Sequence, residues 1–175
     1  MHILNRVLVR IYNGCNCLCD EICSRDEAIR AARSWAETET EDYYPRVFDW
    51  RETDTAGGWK DQYPENVLLS KENINVFVGE LEAALEDQLN EVNYHLDEVC
   101  KVSSDIKELV DLEYNNHSAP VWHLLQLSEL MNGTYTCDSG FYDTDSYTAR
   151  ITRETINSVK ESPDDWALVM FDYHY

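Results

Sequence analysis

Basic residues are scarce in this chain. Fourteen Arg and Lys, five of them lysines, stand against thirty-four Asp and Glu, for a net charge of −20 over 175 residues. That deficit argues against direct contact with a nucleic-acid backbone or an anionic membrane surface, since both would repel the chain. No apolar run approaches the roughly 18 residues that span a bilayer. The first residues, Met1 to Arg6, lack an apolar segment followed by a small-residue cleavage site, so a cytoplasmic protein is the expectation. Hydrophobic residues make up 43% of the chain, enough for a packed core and a single domain over 1–175.

Catalytic signatures are missing as well. The sequence contains no G-x-G-x-x-G, no G-x4-G-K-[ST], no H-E-x-x-H and no G-x-S-x-G. His2, His95, His117, His123 and His174 are scattered, and only His117 and His123, flanking a helix start, stand close in sequence. Asp138, Asp143 and Asp145 with Gly140 miss both the ligand order and the closing Glu of a calcium loop. Nothing in the sequence implies a cofactor.

Six cysteines are present, four of them crowded as Cys15, Cys17, Cys19 and Cys23. Disulfides need a secretory setting, and zinc sites usually join two C-x2-4-C pairs across a dozen or more residues. The crowded four are therefore weak metal candidates, and thiols around a turn are the simpler expectation.

Local patterns predict an α+β fold. Ile3 to Tyr12 is β-branched, and Val7, Val9 and Ile11 alternate as in a strand. Ser24 with Glu27 forms a capping box ahead of a helix to about Thr38. Tyr44 to Trp50 reads as a second strand and 51–66 as a loop. From Ser70 to Tyr114, apolar residues recur every three or four positions, at Ile74, Val78, Leu81, Leu85, Leu89, Val92, Leu96, Val99, Ile106 and Val110. About 40 such residues would build a rod of roughly 60 Å unless Ser103-Ser104-Asp105 caps a second helix. A shorter helix runs from Ala119 to Met131. Thr134–Cys137 and Gly140–Tyr142 suggest a hairpin, Thr152–Lys160 a helix, and Trp166–Tyr173 a buried closing strand. The expected architecture is a small, mostly antiparallel sheet of N- and C-terminal strands, with a long acidic helix or helical hairpin over about 70–131 inserted.

The charge is unevenly placed. Up to residue 36 the chain is nearly balanced, with five basic and four acidic residues; from Glu37 onward nine basic residues face thirty acidic ones. On an ideal helical wheel Glu80, Asp87, Glu91, Glu98 and Asp105 fall within about 20° of one line, with the apolar stripe roughly 130° away. Glu86 and Asp97 widen that side, and Glu37, Glu39, Glu41 and Asp42 form a second cluster. Such a row of carboxylates suits the basic groove of a nucleic-acid-binding protein, because it competes there with phosphates. Trp59, next to Gly57-Gly58 in a polar loop, is the candidate aromatic anchor.

The reading that follows is a non-enzymatic inhibitor of the anti-restriction or anti-CRISPR type, encoded by a phage or mobile element, with a basic nucleic-acid-binding protein as partner. Two rivals stand beside it. One is a helical adaptor that oligomerises, for example as a homodimer, through the 74–110 stripe. The other is a small metal-dependent enzyme whose site is assembled from distant residues.

Overall fold

The computed structural model describes residues 1–11, 24–44, 46–116 and 119–175. The crowded cysteines Cys15, Cys17, Cys19 and Cys23, and also His117, lie outside the described residues.

The sheet is built on its two longest strands, β1 (His2–Arg10) and β5 (Trp166–His174), paired antiparallel from His2 opposite His174 to Arg10 opposite Trp166. The far edge of β5 is shared by two short strands. β2 (Trp50–Glu52) pairs with its C-terminal end and β3 (Val67–Leu69) with its N-terminal half, both antiparallel. β4 (Phe141–Asp143) completes the sheet alongside β1, in parallel. The sheet is thus mixed, with β4 as its parallel member.

Period-two alternation on β1 and β5 feeds two separate cores. Val7 and Val9 of β1 join Ala167, Val169, Phe171 and Tyr173 of β5 beneath α1 (Arg25–Thr40), which contributes Ala28, Ile29, Ala32 and Ala36. On the opposite face Leu8, Leu168 and Met170 pack against Phe77, Val78, Leu81 and Ala84 of α2 (Ile74–Cys100), and against Ile156 and Val159 of α5 (Arg153–Glu161). Both faces of β5 are covered, which is why Trp166–Tyr173 reads as a continuous buried run.

The expected α1 capping box is present: Ser24 Oγ accepts from the Glu27 amide while the Glu27 carboxylate accepts from the Ser24 amide. The long periodic stretch is two helices rather than one rod. α2 ends at Cys100 and α3 (Ile106–Asn116) starts after Ser103-Ser104-Asp105, where Asp105 Oδ1 accepts from the Lys107 amide at 2.8 Å. α4 (Ala119–Asn132) folds back onto α2, so 74–132 forms a helical subregion on one side of the sheet.

Two local expectations are corrected. Among the described residues of the expected strand Tyr44–Trp50, only Trp50 is strand, at the start of β2. No hairpin forms across Asp138-Ser139. Ser139 Oγ accepts from the Thr136 amide at 2.9 Å and donates to the Thr134 carbonyl, so this segment folds on itself and delivers β4 to β1 instead.

Candidate functional site

The acidic line expected on α2 depends on how the helix is rolled against the sheet. Its buried positions beyond Leu81 are Ala84, Gln88, His95 and Val99, while Leu89 and Leu96 are 50% and 43% exposed. The buried face is therefore turned by roughly 55° from the stripe that the Leu and Val spacing describes, at 100° per residue. Polar partners explain the turn. Gln88 Nε2 donates to the carbonyls of Ala149 (2.7 Å) and Ser139 (3.3 Å), and its Oε1 accepts from the Ile151 amide (3.1 Å). These bonds satisfy backbone groups that would otherwise be buried without partners.

Arg6 holds the other edge of the helix. It lies on the same face of β1 as Leu4 and Leu8, beneath α2, and is 8% exposed. Its Nε is 3.4 Å from Glu80 Oε2 and its Nη1 is 3.1 Å from Asp87 Oδ2. Tyr63 donates its hydroxyl proton to the same Glu80 oxygen at 2.8 Å. Burial and that carboxylate push the Tyr63 phenol up to about 12.

The sequence candidates consequently divide. Glu80 and Asp87 face Arg6 and serve the fold. Glu91 is half-buried, and its carboxyl is raised above its ordinary value by desolvation and then by Asp138. Glu98 pairs with Lys101, which lowers its carboxyl. Asp105 caps α3. Glu86 and Asp97 are exposed as expected, and with Glu82 they form the line on α2 that points away from the body. In the second cluster Glu41 and Asp42 are exposed and Glu39 is half-buried, whereas Glu37 accepts from the Thr53 hydroxyl. Trp59 is half-buried rather than a free anchor: it packs beside the core under α2, in the short 3-10 helix Gly57–Trp59. That turn is fixed by Asp172, which accepts from the Gly58 amide at 2.9 Å. Gly57 has φ +52 and a Cβ there would meet Asp172 Oδ2 at 2.1 Å, so no other residue fits.

Glu91, Asp87 and Arg6 line a cleft of about 450 Å³ with Trp59, Cys137 and Asp138. Behind it sits a cluster that sequence spacing did not bring together. His95 Nδ1 lies 3.0 Å from His123 Nδ1 of α4, and His95 Nε2 lies 3.3 Å from Asp138 Oδ2. Sequence spacing carried no signal for it, since on the wheel His95 falls between the apolar stripe and the acidic line. Burial and Asp138 push the Cys137 thiol up to about 11, so it is protonated at neutral pH and a poor nucleophile. Among the described residues, no group of three or more His, Cys, Asp or Glu side chains is arranged to hold a metal ion. No helix of the described residues is long and apolar enough to cross a membrane.

No family model, curated protein or solved structure matches the chain.

Proposed function

We propose that the protein works by binding rather than by chemistry. Its surplus carboxylates occupy a cationic cleft on a basic nucleic-acid-binding protein and exclude the nucleic acid, in the manner of an anti-restriction or anti-CRISPR inhibitor from a phage or mobile element. One observation carries this reading: α2 holds seven carboxylates and no Lys or Arg in 27 residues. From Asn73 to Gly133 only Lys101 and Lys107 oppose the acidic excess.

Magnitudes shape the proposal. A 27-residue helix is about 40 Å long, so its seven charges are spaced near one per ~6 Å, against one per ~1.7 Å in B-DNA. With Glu80 and Asp87 held by Arg6, the outward face retains Glu86 and Asp97, together with Glu82, whose Oε1 lies 3.9 Å from Lys160 Nζ in an exposed pair. The attraction therefore comes from the field of the whole acidic body, with Glu41 and Asp42 contributing, and not from a phosphate-like spacing.

The test is capture of partners from the native host, followed by displacement of bound duplex DNA or RNA from whatever basic protein is retained. The informative variant is Glu82→Lys/Glu86→Lys/Asp97→Lys, because these side chains are exposed and their reversal leaves Arg6 and its partners untouched. Loss of displacement with an unchanged circular dichroism spectrum supports the reading; full displacement by this variant rejects it.

A second reading has its own observation. Leu89 and Leu96, 50% and 43% exposed, leave an apolar edge on α2 open to solvent. This favours self-association along that helix. Sedimentation decides it: a salt-insensitive dimer dispersed by Leu89→Asp/Leu96→Asp makes the protein a helical adaptor.

A further inference from the structure

We propose that His2 and His174, facing each other at one end of the sheet, form a two-imidazole site for a divalent transition-metal ion such as Zn²⁺. The inference is independent of the acidic face of α2 and concerns a different surface. His2 of β1 stands directly opposite His174 of β5, and Trp50 of β2 is paired with His174 from the other side. Residues opposed in this way share a face, so the three rings form a row across three strands. The His2 and His174 ring centres are 5.1 Å apart with their planes at 62°, and Trp50 meets the His2 ring edge-on at 5.5 Å. The two imidazoles are 59% and 38% exposed, so an ion reaches them from solvent.

Each ring is held by a carboxylate through one nitrogen. His2 Nδ1 lies 2.9 Å from Asp172 Oδ1, and His174 Nδ1 lies 2.7 Å from Asp49 Oδ1. Asp172 is itself fixed, since its other oxygen accepts from the Gly58 amide. A carboxylate accepts, so in each neutral ring Nδ1 carries the proton and Nε2 keeps its lone pair. Metal-binding histidines are held in the same way: the carboxylate sets the tautomer and raises the basicity of the ligating nitrogen. The spacing fits as well. With a metal–nitrogen distance of about 2.0–2.1 Å, the ion lies about 3.2 Å from each ring centre, and centres 5.1 Å apart then subtend an angle close to tetrahedral. Paired imidazoles select ions such as Zn²⁺ and Cu²⁺ over Mg²⁺ and Ca²⁺. The chain supplies two nitrogens, and water completes the coordination. The other histidine pair lacks this capacity, because His95 and His123 spend their nitrogens on each other and on Asp138.

The probe is Zn²⁺, titrated into the full chain without a polyhistidine tag and in excess Mg²⁺, which occupies surface carboxylates. ¹⁵N NMR of the histidine rings follows each imidazole separately and is blind to metal held only by thiols. The Nε2 signals of His2 and His174 should move together along one saturating curve, while those of His95 stay in place. His2→Gln should weaken the response of His174 by about tenfold or more, and His174→Gln that of His2, because two ligands then no longer share one ion. Asp49→Asn, at a side chain 69% exposed, should weaken both responses by about tenfold, through the His174 tautomer and not through a metal contact. The wild-type titration decides even where a variant fails to fold. The proposal is overturned if either signal is unmoved at about 1 mM Zn²⁺, or if the two follow curves with different midpoints. It is overturned too if His174 responds as strongly in His2→Gln as in wild type, since each ring then binds metal alone.

Discussion

At the scale of single residues, Arg6 has the largest influence on the acidic surface. A guanidinium buried on β1 must be neutralised, and the carboxylates within reach are those of Glu80 and Asp87. Substituting Arg6→Met leaves Glu80 facing the core without its cation, and should cost about 3 kcal/mol in urea unfolding. Adding Glu80→Gln to that variant should restore a large part of the loss. A cost for Arg6→Met within experimental error of zero would mean that the pair contributes nothing. Glu91 behaves in the opposite sense. Its carboxyl is raised in the folded state, so the stability linked to its proton is present below the ordinary value of 4.5 and lost as pH rises through the raised one. Glu91→Gln should accordingly raise the melting temperature at pH 7, and the difference from wild type should vanish as pH falls toward 4. An equal gain at both pH values contradicts this account.

At the scale of elements, the roll of α2 separates what periodicity reveals from what it does not. The spacing of Leu and Val residues was enough to place a helical stretch from Ser70 to Tyr114, and the Ser103–Asp105 cluster marked where it could break without deciding between one rod and two helices. The alternation on β1 and the unbroken apolar run of β5 likewise located the two strands that hold the sheet together. Orientation was beyond that information. A wheel ranks faces by hydrophobicity, but Gln88 and His95 are buried because backbone groups of Ser139, Ala149 and Ile151, and the side chains of His123 and Asp138, come to meet them. Those partners arrive from distant parts of the chain. The same applies to β3 and β4, three residues each, whose pairing depends on the edges offered by β5 and β1. The roll itself is measurable. Leu81→Ala, at a fully buried position, should cost about 3 kcal/mol, whereas Leu89→Ala should cost under about 0.5 kcal/mol. Equal costs at the two sites would return α2 to the orientation that its apolar spacing suggests.

At the scale of the whole molecule, the acidic excess outweighs any single side chain. Arg6, Arg10, Arg25, Lys101 and Lys160 each lie within ion-pair distance of a carboxylate, and a large surplus of carboxylates still faces solvent. The composition made that surplus legible at once, while the choice of which carboxylates are free required the positions of Arg6, Tyr63 and Lys101. Fields of this kind steer oppositely charged partners and weaken as salt shortens the screening length from about 10 Å at 0.1 M. The most direct test measures the affinity of the chain for its captured basic partner across a salt series, with wild type and the Glu82→Lys/Glu86→Lys/Asp97→Lys variant side by side. Competition for a cationic cleft predicts that wild-type affinity falls steeply with salt and that the variant is already weak at the lowest concentration. An affinity indifferent to salt, or a variant that binds as tightly as wild type, would contradict it.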